Sequence, residues 1–347
     1  MRRALITLGI GLGLVGSTVV SAPALAASPV TVPLATSVSA AQQAATFWLA
    51  DGAANLKSAT PYAVQTVVHG ERTSTAVVPD GKPGVVAPVQ GVASPEGKLP
   101  TTSGKVFFVG ADGQPHWCTG TAVQSNYRNL VATAGHCVYD TQRAGAALDK
   151  WVFVPGYSEG TTPSGLYVGK QAVAHYDFGV YADYDRDFAF VNVYNGVVSS
   201  SSGVLTDTGR LVDSVGGLGF RYNQPPSSSV DVFGYPAGPN PDGTGRPYTG
   251  QTLEQSTGST FPVRLSDLAA DQAIGVDSPF PGEGSLGSSW LYHYSKDSGT
   301  GYLNGITISV SDTDGDGRYD TGVSPYFDGE VAAVYSAAGN FWTGPIA

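Results

Sequence analysis

Charged residues are scarce in this sequence of 347 residues, where Asp, Glu, Lys and Arg together make up 13%. The 18 basic residues are outnumbered by 28 acidic ones, which gives a formal net charge of −10. Nucleic-acid binding needs a basic face, so this balance argues against a nucleic-acid partner. Long hydrophobic runs are also missing beyond the N-terminus, since no later stretch reaches the ~18 apolar residues of a membrane span.

The N-terminus reads "MRRALITLGIGLGLVGSTVVSAPALAASPV". Two arginines precede an apolar stretch that runs from Ala4 to about Val20, and Ala24–Ala26 supplies the small residues that signal peptidase requires. This pattern predicts a signal peptide over residues 1–26, with a membrane anchor as the alternative. We therefore expect a secreted, extracellular protein that has no membrane contact after cleavage.

Cysteine is almost absent, with Cys118 and Cys137 as the only two. In an exported protein this minimal even count indicates one disulfide bond, whereas two buried thiols are the alternative.

Glycine and proline are abundant, at 46 and 23 residues, and they separate many short runs of β-forming residues from Lys105 onward. Such runs, with turn signals between them, predict an all-β sandwich or barrel. Apolar residues at helical spacing predict a helix over residues 38–58, and "DGEVAAVYSAA" at 328–338 predicts a second near the C-terminus. The Pro- and Gly-rich stretch Val77–Lys105 has no clear period and is interpreted as a linker or an extended pro-segment.

One group of residues in the sequence suggests a catalytic function. His136 lies between a strand-like run and Cys137, a position that would hold an imidazole rigidly enough for general base catalysis. The stretch "CTGTAVQSNYRNLVATAGHCV", which contains both cysteines and His136, closely resembles the histidine loop of trypsin-like serine peptidases. It is most similar to their actinobacterial and glutamyl-endopeptidase branch.

The resemblance implies a fold of two antiparallel Greek-key β-barrels with a cleft between them, a short C-terminal helix and a partly helical N-terminal pro-region. The corresponding domains are the signal peptide 1–26, a pro-region and linker over 27–103, and a protease domain over 104–347. It also implies a protein or peptide substrate, a monomer, and no cofactor for catalysis.

The family's aspartate precedes an apolar strand, and "YDRDFAFVNVY" places Asp187 there. Asp187 would orient the imidazole of His136 and stabilise its charged form. Asp183 and Asp185 are nearby rivals. The resemblance places the Cys118–Cys137 disulfide directly under His136.

The nucleophile loop departs from the family pattern. Aligning "GEGSLGSSWL" on Trp290 puts Gly284 and Gly287 where backbone freedom is needed and Leu286 at the nucleophile position. The rival alignment makes Ser285 the nucleophile, but it places Leu286 where a glycine-like backbone is wanted. Leucine cannot attack a carbonyl, so the first alignment predicts loss of the nucleophile.

A separate motif, "DTDGDGRYD", has the carboxylate spacing of a calcium loop, and its glycine Gly317 would allow a sharp turn. Val323 stands where an EF-hand has its bidentate glutamate, so this is not a standard EF-hand, and an acidic hairpin is the alternative. The candidate ligands of a structural calcium ion are Asp312, Asp314, Asp316 and Asp320.

Three functions follow from these observations. The leading hypothesis is a secreted trypsin-like peptidase homologue that is impaired or inactive and retains peptide binding in its cleft. The second is an active serine endopeptidase that uses His136, Asp187 and Ser285. The third is an extracellular structural or interaction protein with a calcium-binding loop.

Overall fold

The computed structural model describes residues 29–62, 67–74, 77–92, 99–140, 146–244, 248–268 and 270–347. The predicted signal peptide lies outside these ranges. Within them, no helix is both long enough and apolar enough to cross a membrane.

The structure is mostly β. The strands of its N-terminal half are β1 (Pro29–Pro33), β2 (Thr60–Pro61), β3 (Gly70–Arg72), β4 (Gly84–Val86), β5 (Ser103–Val109), β6 (Pro115–Val123), β7 (Leu130–Thr133), β8 (Tyr139–Asp140), β9 (Ala146–Ala147), β10 (Asp149–Pro155), β11 (Tyr167–His175) and β12 (Ala189–Val193). The later strands are β13 (Gly196–Ser199), β14 (Leu205–Gly209), β15 (Gly219–Tyr222), β16 (Ser229–Gly234), β17 (Ala237–Gly238), β18 (Tyr248–Thr249), β19 (Glu254–Leu265), β20 (Ala270–Asp277), β21 (Ser289–Ser295), β22 (Thr300–Ile306), β23 (Ser309–Ser311) and β24 (Thr321–Pro325). The α-helices are α1 (Val38–Ser58), α2 (Tyr176–Tyr181), α3 (Leu211–Val215) and α4 (Gly329–Ala338).

The first sheet contains a closed antiparallel barrel. Its six strands follow the order β11-β10-β5-β6-β7-β12, and β12 pairs back onto β11. Strand β5 is buried on both faces, which explains its unbroken apolar run: Val106 and Phe108 join one core cluster, while Phe107 joins another that includes Trp48 of α1.

The second sheet has ten strands, in the order β23-β24-β20-β19-β16-β21-β22-β15-β4, with β3 paired to β19. The described residues contain no hydrogen-bonded pair that closes this sheet into a barrel. The prediction of two antiparallel Greek-key β-barrels is therefore confirmed only in part, because the first sheet contains an antiparallel barrel and the second does not close. The second sheet is larger than the first. It includes one parallel pair of strands, β15 with β22, and these two strands are not joined by a hairpin.

Both predicted helices are present. Helix α1 is interrupted at Ala50–Ala53, where the backbone leaves helical angles and passes through positive φ at Asp51 and Gly52. Helix α4 starts after Asp328, whose carboxylate accepts the backbone N–H groups of Glu330 and Val331.

The N-terminal part of the chain packs directly against both sheets. Strand β1 pairs with β11 over residues 29–33, and β2 pairs in parallel with β6. Farther along, β3 joins β19 and β4 joins β15 in the second sheet. The division between a pro-region and a protease domain at residue 103/104 stays a prediction, and the strands before it are hydrogen-bonded to those after it.

Candidate active site

His136 and Asp187 lie at the same end of two neighbouring strands. His136 is in a short 3₁₀ helix, Gly135–Cys137, that follows β7, and Asp187 lies two residues before the start of β12. Strands β7 and β12 are paired with Ala189 opposite Thr133. Strand pairing therefore brings together two residues that are 51 positions apart.

The two side chains make a close, buried pair. Asp187 Oδ2 is 2.5 Å from His136 Nδ1, and Asp187 Oδ1 accepts the backbone N–H of His136 at 2.9 Å. The side chains are only 3% and 0% exposed, so the contact is almost free of solvent screening. With the carboxylate on Nδ1, the proton of a neutral imidazole resides there, and Nε2 is left as the proton acceptor.

Close packing around Gly135 keeps this pair in place. A Cβ atom at Gly135 would lie 2.6 Å from the ring of Phe178 and 2.9 Å from Asp187 Oδ1. A side chain at this position would therefore crowd both the Phe178 ring and the Asp187 carboxylate. The glycine of the "AGHC" motif is thus explained by a steric requirement.

A disulfide joins Cys118 of β6 to Cys137, with a Cα–Cα distance of 6.3 Å, so the predicted bridge is confirmed. Thr119, the next residue on β6, holds the nucleophile loop. Its backbone N–H donates to the carbonyl of Leu286 at 2.8 Å, and its hydroxyl donates to the carbonyl of Gly284 at 2.9 Å. The disulfide and Thr119 together fix the loop beside the turn that carries His136.

The loop itself depends on its glycines. Gly284 and Gly287 have φ angles of +72° and +85°, which favour glycine. A Cβ atom at Gly284 would lie 2.1 Å from the ring of Trp117, and one at Gly287 would lie 2.0 Å from the carbonyl oxygen of Thr119. The two positions that the first sequence alignment assigned to flexible glycines are thus the two with positive φ.

Ser285 and Leu286 are both fully buried. The hydroxyl of Ser285 donates to the carbonyl of Gly282 at 3.1 Å, within its own turn. His136 Nε2 is buried and has no hydrogen-bond partner among the described residues. No described hydroxyl therefore bonds to the imidazole in this conformation.

Asp183 and Asp185, the alternatives to Asp187, are hydrogen-bonded to backbone groups elsewhere. Asp183 accepts the N–H of Asp185 at the start of the short helix Tyr184–Arg186. Asp185 accepts the N–H groups of Asp271 and Gln272 at 3.0 and 2.8 Å, which connects the turn before Asp187 to β20 of the second sheet. Burial raises the pKa of Asp185 above its ordinary value, although these two N–H groups oppose the shift.

The acidic loop brings three of its four predicted ligands together. Oxygen atoms of Asp312, Asp314 and Asp320 lie within 4.8 Å of one another. Asp316 is not in this group, and its carboxylate accepts the N–H of Arg318 instead. Asp312 accepts the N–H groups of Gly315 and Gly317 within the same turn, so hydrogen bonds inside the loop also account for part of the acidic spacing.

Tyr62 is a neighbour of the site that the sequence did not indicate. Its ring lies near the His136 imidazole and roughly parallel to it, with a centroid distance of 6.5 Å and an interplanar angle of 25°. The two residues are 74 positions apart, and no local pattern connects them.

The structure is similar to solved structures of proteases. The structure matches protease Anisep from Arthrobacter nicotinovorans with a TM-score of 0.56 and 24% identity, over 70% of this chain and 98% of that chain. It matches a thermostable serine protease, AL20, from an extremophilic microorganism with a TM-score of 0.55 and 23% identity, over 69% of this chain and 97% of that chain. No family model and no curated protein matches the sequence. The chain therefore has the fold of trypsin-like serine proteases.

Proposed function

We propose that this chain is a secreted homologue of trypsin-like serine peptidases, close to their actinobacterial and glutamyl-endopeptidase branch, that has lost its nucleophile and retains a peptide-binding cleft. The proposal rests on a contrast within the candidate active site, between an intact His–Asp pair and a missing nucleophile. His136 and Asp187 form a buried, close pair, whereas Nε2 of His136 has no described hydroxyl partner and the aligned nucleophile position is Leu286.

A hydrocarbon side chain can neither attack a carbonyl nor pass a proton to His136. The backbone of the loop keeps its shape through Thr119 and the two glycines, and none of these contacts needs a serine side chain at position 286. Triad enzymes that lack one member keep only a residual ~10³–10⁴-fold acceleration over water. Peptide binding, by contrast, depends on cleft shape and can outlast the chemistry.

Covalent labelling by a fluorophosphonate tests this proposal. The unmodified chain should not be labelled, and Leu286→Ser should gain labelling because the His–Asp pair can then activate a hydroxyl. Leu286→Ala is the matched control, since it shortens the same side chain without adding a nucleophile. If Leu286→Ser stayed unlabelled, the site would no longer be complementary to a peptidase transition state, and an extracellular interaction module would become the better hypothesis.

The second candidate is an active peptidase that uses Ser285. It requires the hydroxyl of Ser285 to leave the carbonyl of Gly282 and rotate toward His136 Nε2, which has a free acceptor position among the described residues. Labelling of the unmodified chain that disappears in Ser285→Ala would establish this candidate and defeat the first.

A structural calcium ion at the acidic loop is a separate proposal, supported by the convergence of Asp312, Asp314 and Asp320. Carboxylate oxygens are the ligands that calcium prefers, and extracellular calcium is abundant enough for a weak site. Millimolar calcium should raise the melting temperature of the chain but not that of Asp314→Asn. A melting temperature that does not move with calcium would eliminate this site.

A further inference from the structure

His116, on β6, has both of its ring nitrogens engaged by side chains. Its Nε2 lies 3.1 and 3.0 Å from the two carboxylate oxygens of Asp112. Its Nδ1 lies 2.9 Å from the hydroxyl oxygen of Thr60, the first residue of β2. The three side chains therefore form a chain of carboxylate, imidazole and hydroxyl groups that is separate from the His136–Asp187 pair.

The carboxylate determines where the protons of this chain reside. The backbone N–H of Gln114 and the ring of His116 hold the pKa of Asp112 below its ordinary value, so the carboxylate is ionised at neutral pH. An ionised carboxylate only accepts hydrogen bonds, which places the proton of a neutral His116 ring on Nε2. Nδ1 is then the acceptor, and the hydroxyl of Thr60 donates to it. This is the order of groups that activates a hydroxyl nucleophile: a base beside the hydroxyl, and a third group that orients the base.

Neighbouring strands and rings hold the imidazole beside the hydroxyl. The parallel pairing of β2 with β6 puts Thr60 opposite His116. The ring of His116 lies 5.6 Å from that of Tyr62 and 6.3 Å from that of Phe108. Contacts within the fold therefore fix the distance between the base and the hydroxyl before any reagent binds, as general base catalysis requires.

The hydroxyl at one end of this chain is accessible. Thr60 is exposed, and the side chain of His116 is 15% exposed. Ser285 differs in both respects, since it is fully buried and its hydroxyl donates to the carbonyl of Gly282. A dissolved reagent can therefore reach the hydroxyl of Thr60 without any opening of the structure.

We propose that Thr60, His116 and Asp112 form a second reactive site, in which Thr60 accepts an acyl group from an activated carboxylic ester. The hydroxyl oxygen of Thr60 attacks the ester carbonyl carbon, and its proton passes to Nδ1 of His116. The bond from that carbon to the leaving oxygen then breaks, and the leaving alcohol takes up the proton from His116. The product is an ester of Thr60, and Asp112 stabilises the imidazolium that forms in between.

The size of the catalytic effect limits the acyl donors. General base catalysis contributes roughly 10²–10⁴-fold to such a reaction. We assign no oxyanion hole to this site, whereas one donor of such a hole contributes a further ~10²–10³-fold in a serine peptidase. The donors are therefore esters whose leaving group departs easily, such as aryl esters, and peptide bonds are excluded.

Acetylation of the full chain by p-nitrophenyl acetate tests this proposal. The adducts are mapped by peptide mass spectrometry after an acid quench, and their rates of formation are compared. Thr206, an exposed threonine on β14, is the internal standard. Thr60 should be acetylated at least tenfold faster than Thr206, and His116→Gln should remove this advantage because the base is lost.

Two variants serve as matched controls. Thr60→Ser keeps a hydroxyl beside His116 and should still be acetylated at residue 60. His69→Gln removes an exposed histidine that is paired with Asp267, and it should leave the rate at Thr60 unchanged. Equal rates at Thr60 and Thr206, or an unchanged rate at Thr60 in a folded His116→Gln variant, would overturn the proposal and leave the hydrogen bonds as an anchor of β2.

Asp112→Asn decides the matter if His116→Gln lowers the melting temperature. An amide group that donates to Nε2 of His116 leaves the ring proton on Nδ1, where it can no longer accept the proton of Thr60. The rate at Thr60 should then fall at least tenfold, and an unchanged rate would contradict the assignment of His116 as the base.

The proposal is independent of the proposed function, because neither His136 nor residue 286 takes part. Fluorophosphonate labelling in Leu286→Ser is read at residue 286, and acetylation is read at residue 60. Failure of either measurement therefore leaves the other conclusion intact. We expect no phosphonylation of Thr60, since a fluorophosphonate depends on an oxyanion hole to stabilise its phosphoryl oxygen.

Discussion

The backbone of the nucleophile loop is held by groups that do not depend on the residue at position 286. Thr119 bonds to carbonyl oxygens on both sides of Ser285, and the positive φ angles fall at Gly284 and Gly287. Leu286 itself adds a buried apolar side chain to the core. The loop therefore keeps its conformation by the same interactions whether or not it contains a nucleophile. Single substitutions at position 286 thus test the chemistry of that side chain.

In the Leu286→Ser background, we expect Asp187→Asn to slow fluorophosphonate labelling by up to ~10⁴-fold, because the amide cannot hold the imidazole in the required tautomer. The measurement is the pseudo-first-order labelling rate. Asp183→Asn is the matched control, since an asparagine at that position can still cap the short helix that starts there. A larger loss with Asp183→Asn than with Asp187→Asn would show that the aspartate was misassigned.

Lys105 is a buried amine without a carboxylate partner among the described residues. It is 1% exposed, and its Nζ lies 3.5 Å from the ring centroid of Trp117 and 4.4 Å from that of Tyr157. Burial lowers the pKa of Lys105 to about 6. The folded protein therefore holds this amine mostly neutral at neutral pH, while the unfolded chain holds it protonated.

The lowered pKa of Lys105 determines whether the free energy of unfolding rises or falls with pH. Between pH 6 and about 10.5 the unfolded state binds one more proton, so Lys105 makes the free energy of unfolding rise with pH by roughly 1.4 kcal/mol per unit. Lys105→Met should remove this slope. We therefore expect the stability that the variant gains over the unmodified chain to shrink by about 3 kcal/mol between pH 6.5 and pH 8.5. Urea unfolding at the two pH values measures this change.

Lys82→Met is the control for this measurement, because Lys82 is exposed. Its stability relative to the unmodified chain should not change with pH. A pH-independent effect of Lys105→Met would mean that the amine keeps its proton on folding, stabilised by the surrounding aromatic rings.

At the scale of secondary-structure elements, the sequence predicted the elements that are specified by local sequence patterns. The histidine turn, helices α1 and α4 and the short strands of the barrel follow from motif, periodicity and turn residues. The pairing of β1 with β11 and the position of Tyr62 near His136 could not be predicted, because they bring together residues that are far apart in sequence and have no recognisable pattern. The interruption of α1 at Ala50–Ala53 was also missed, since alanine and a single glycine are compatible with a continuous helix.

Helix α1 is held by one large anchor. Trp48 is fully buried, contacts Phe107 at a centroid distance of 5.6 Å and donates its indole N–H to the carbonyl of Lys150. Trp48→Ala should therefore lower the free energy of unfolding by about 3–5 kcal/mol. Chemical denaturation of the whole chain measures this change.

Trp342→Ala is the matched control, because that indole is 60% exposed and should contribute little. Equal effects of the two substitutions would indicate that α1 is not docked on the barrel in solution.

At the scale of the whole molecule, the N-terminal part contacts both sheets. Strands β1 and β2 and helix α1 lie on the first sheet, whereas β3 and β4 belong to the second. The second sheet differs from the predicted closed barrel because the alternation of apolar residues identifies strands but does not specify which edges pair. The likeness to the solved proteases covers about 70% of the chain.

This arrangement predicts the outcome of cutting the chain between Val92 and Leu99. With a protease site inserted there, the N-terminal fragment should stay bound to the remainder, because strand pairing and the burial of Trp48 do not require the covalent link. Size-exclusion chromatography in native buffer should show co-elution, and urea should separate the fragments. Separation in native buffer would instead support a pro-region that leaves after processing.

The docking of α1 has a consequence for the surroundings of His136. Helix α1 leads directly into β2, which pairs with β6, and the ring of Tyr62 follows beside His136. A partner that pulled Trp48 and α1 away from the barrel would therefore disturb the neighbourhood of His136 without touching the candidate active site.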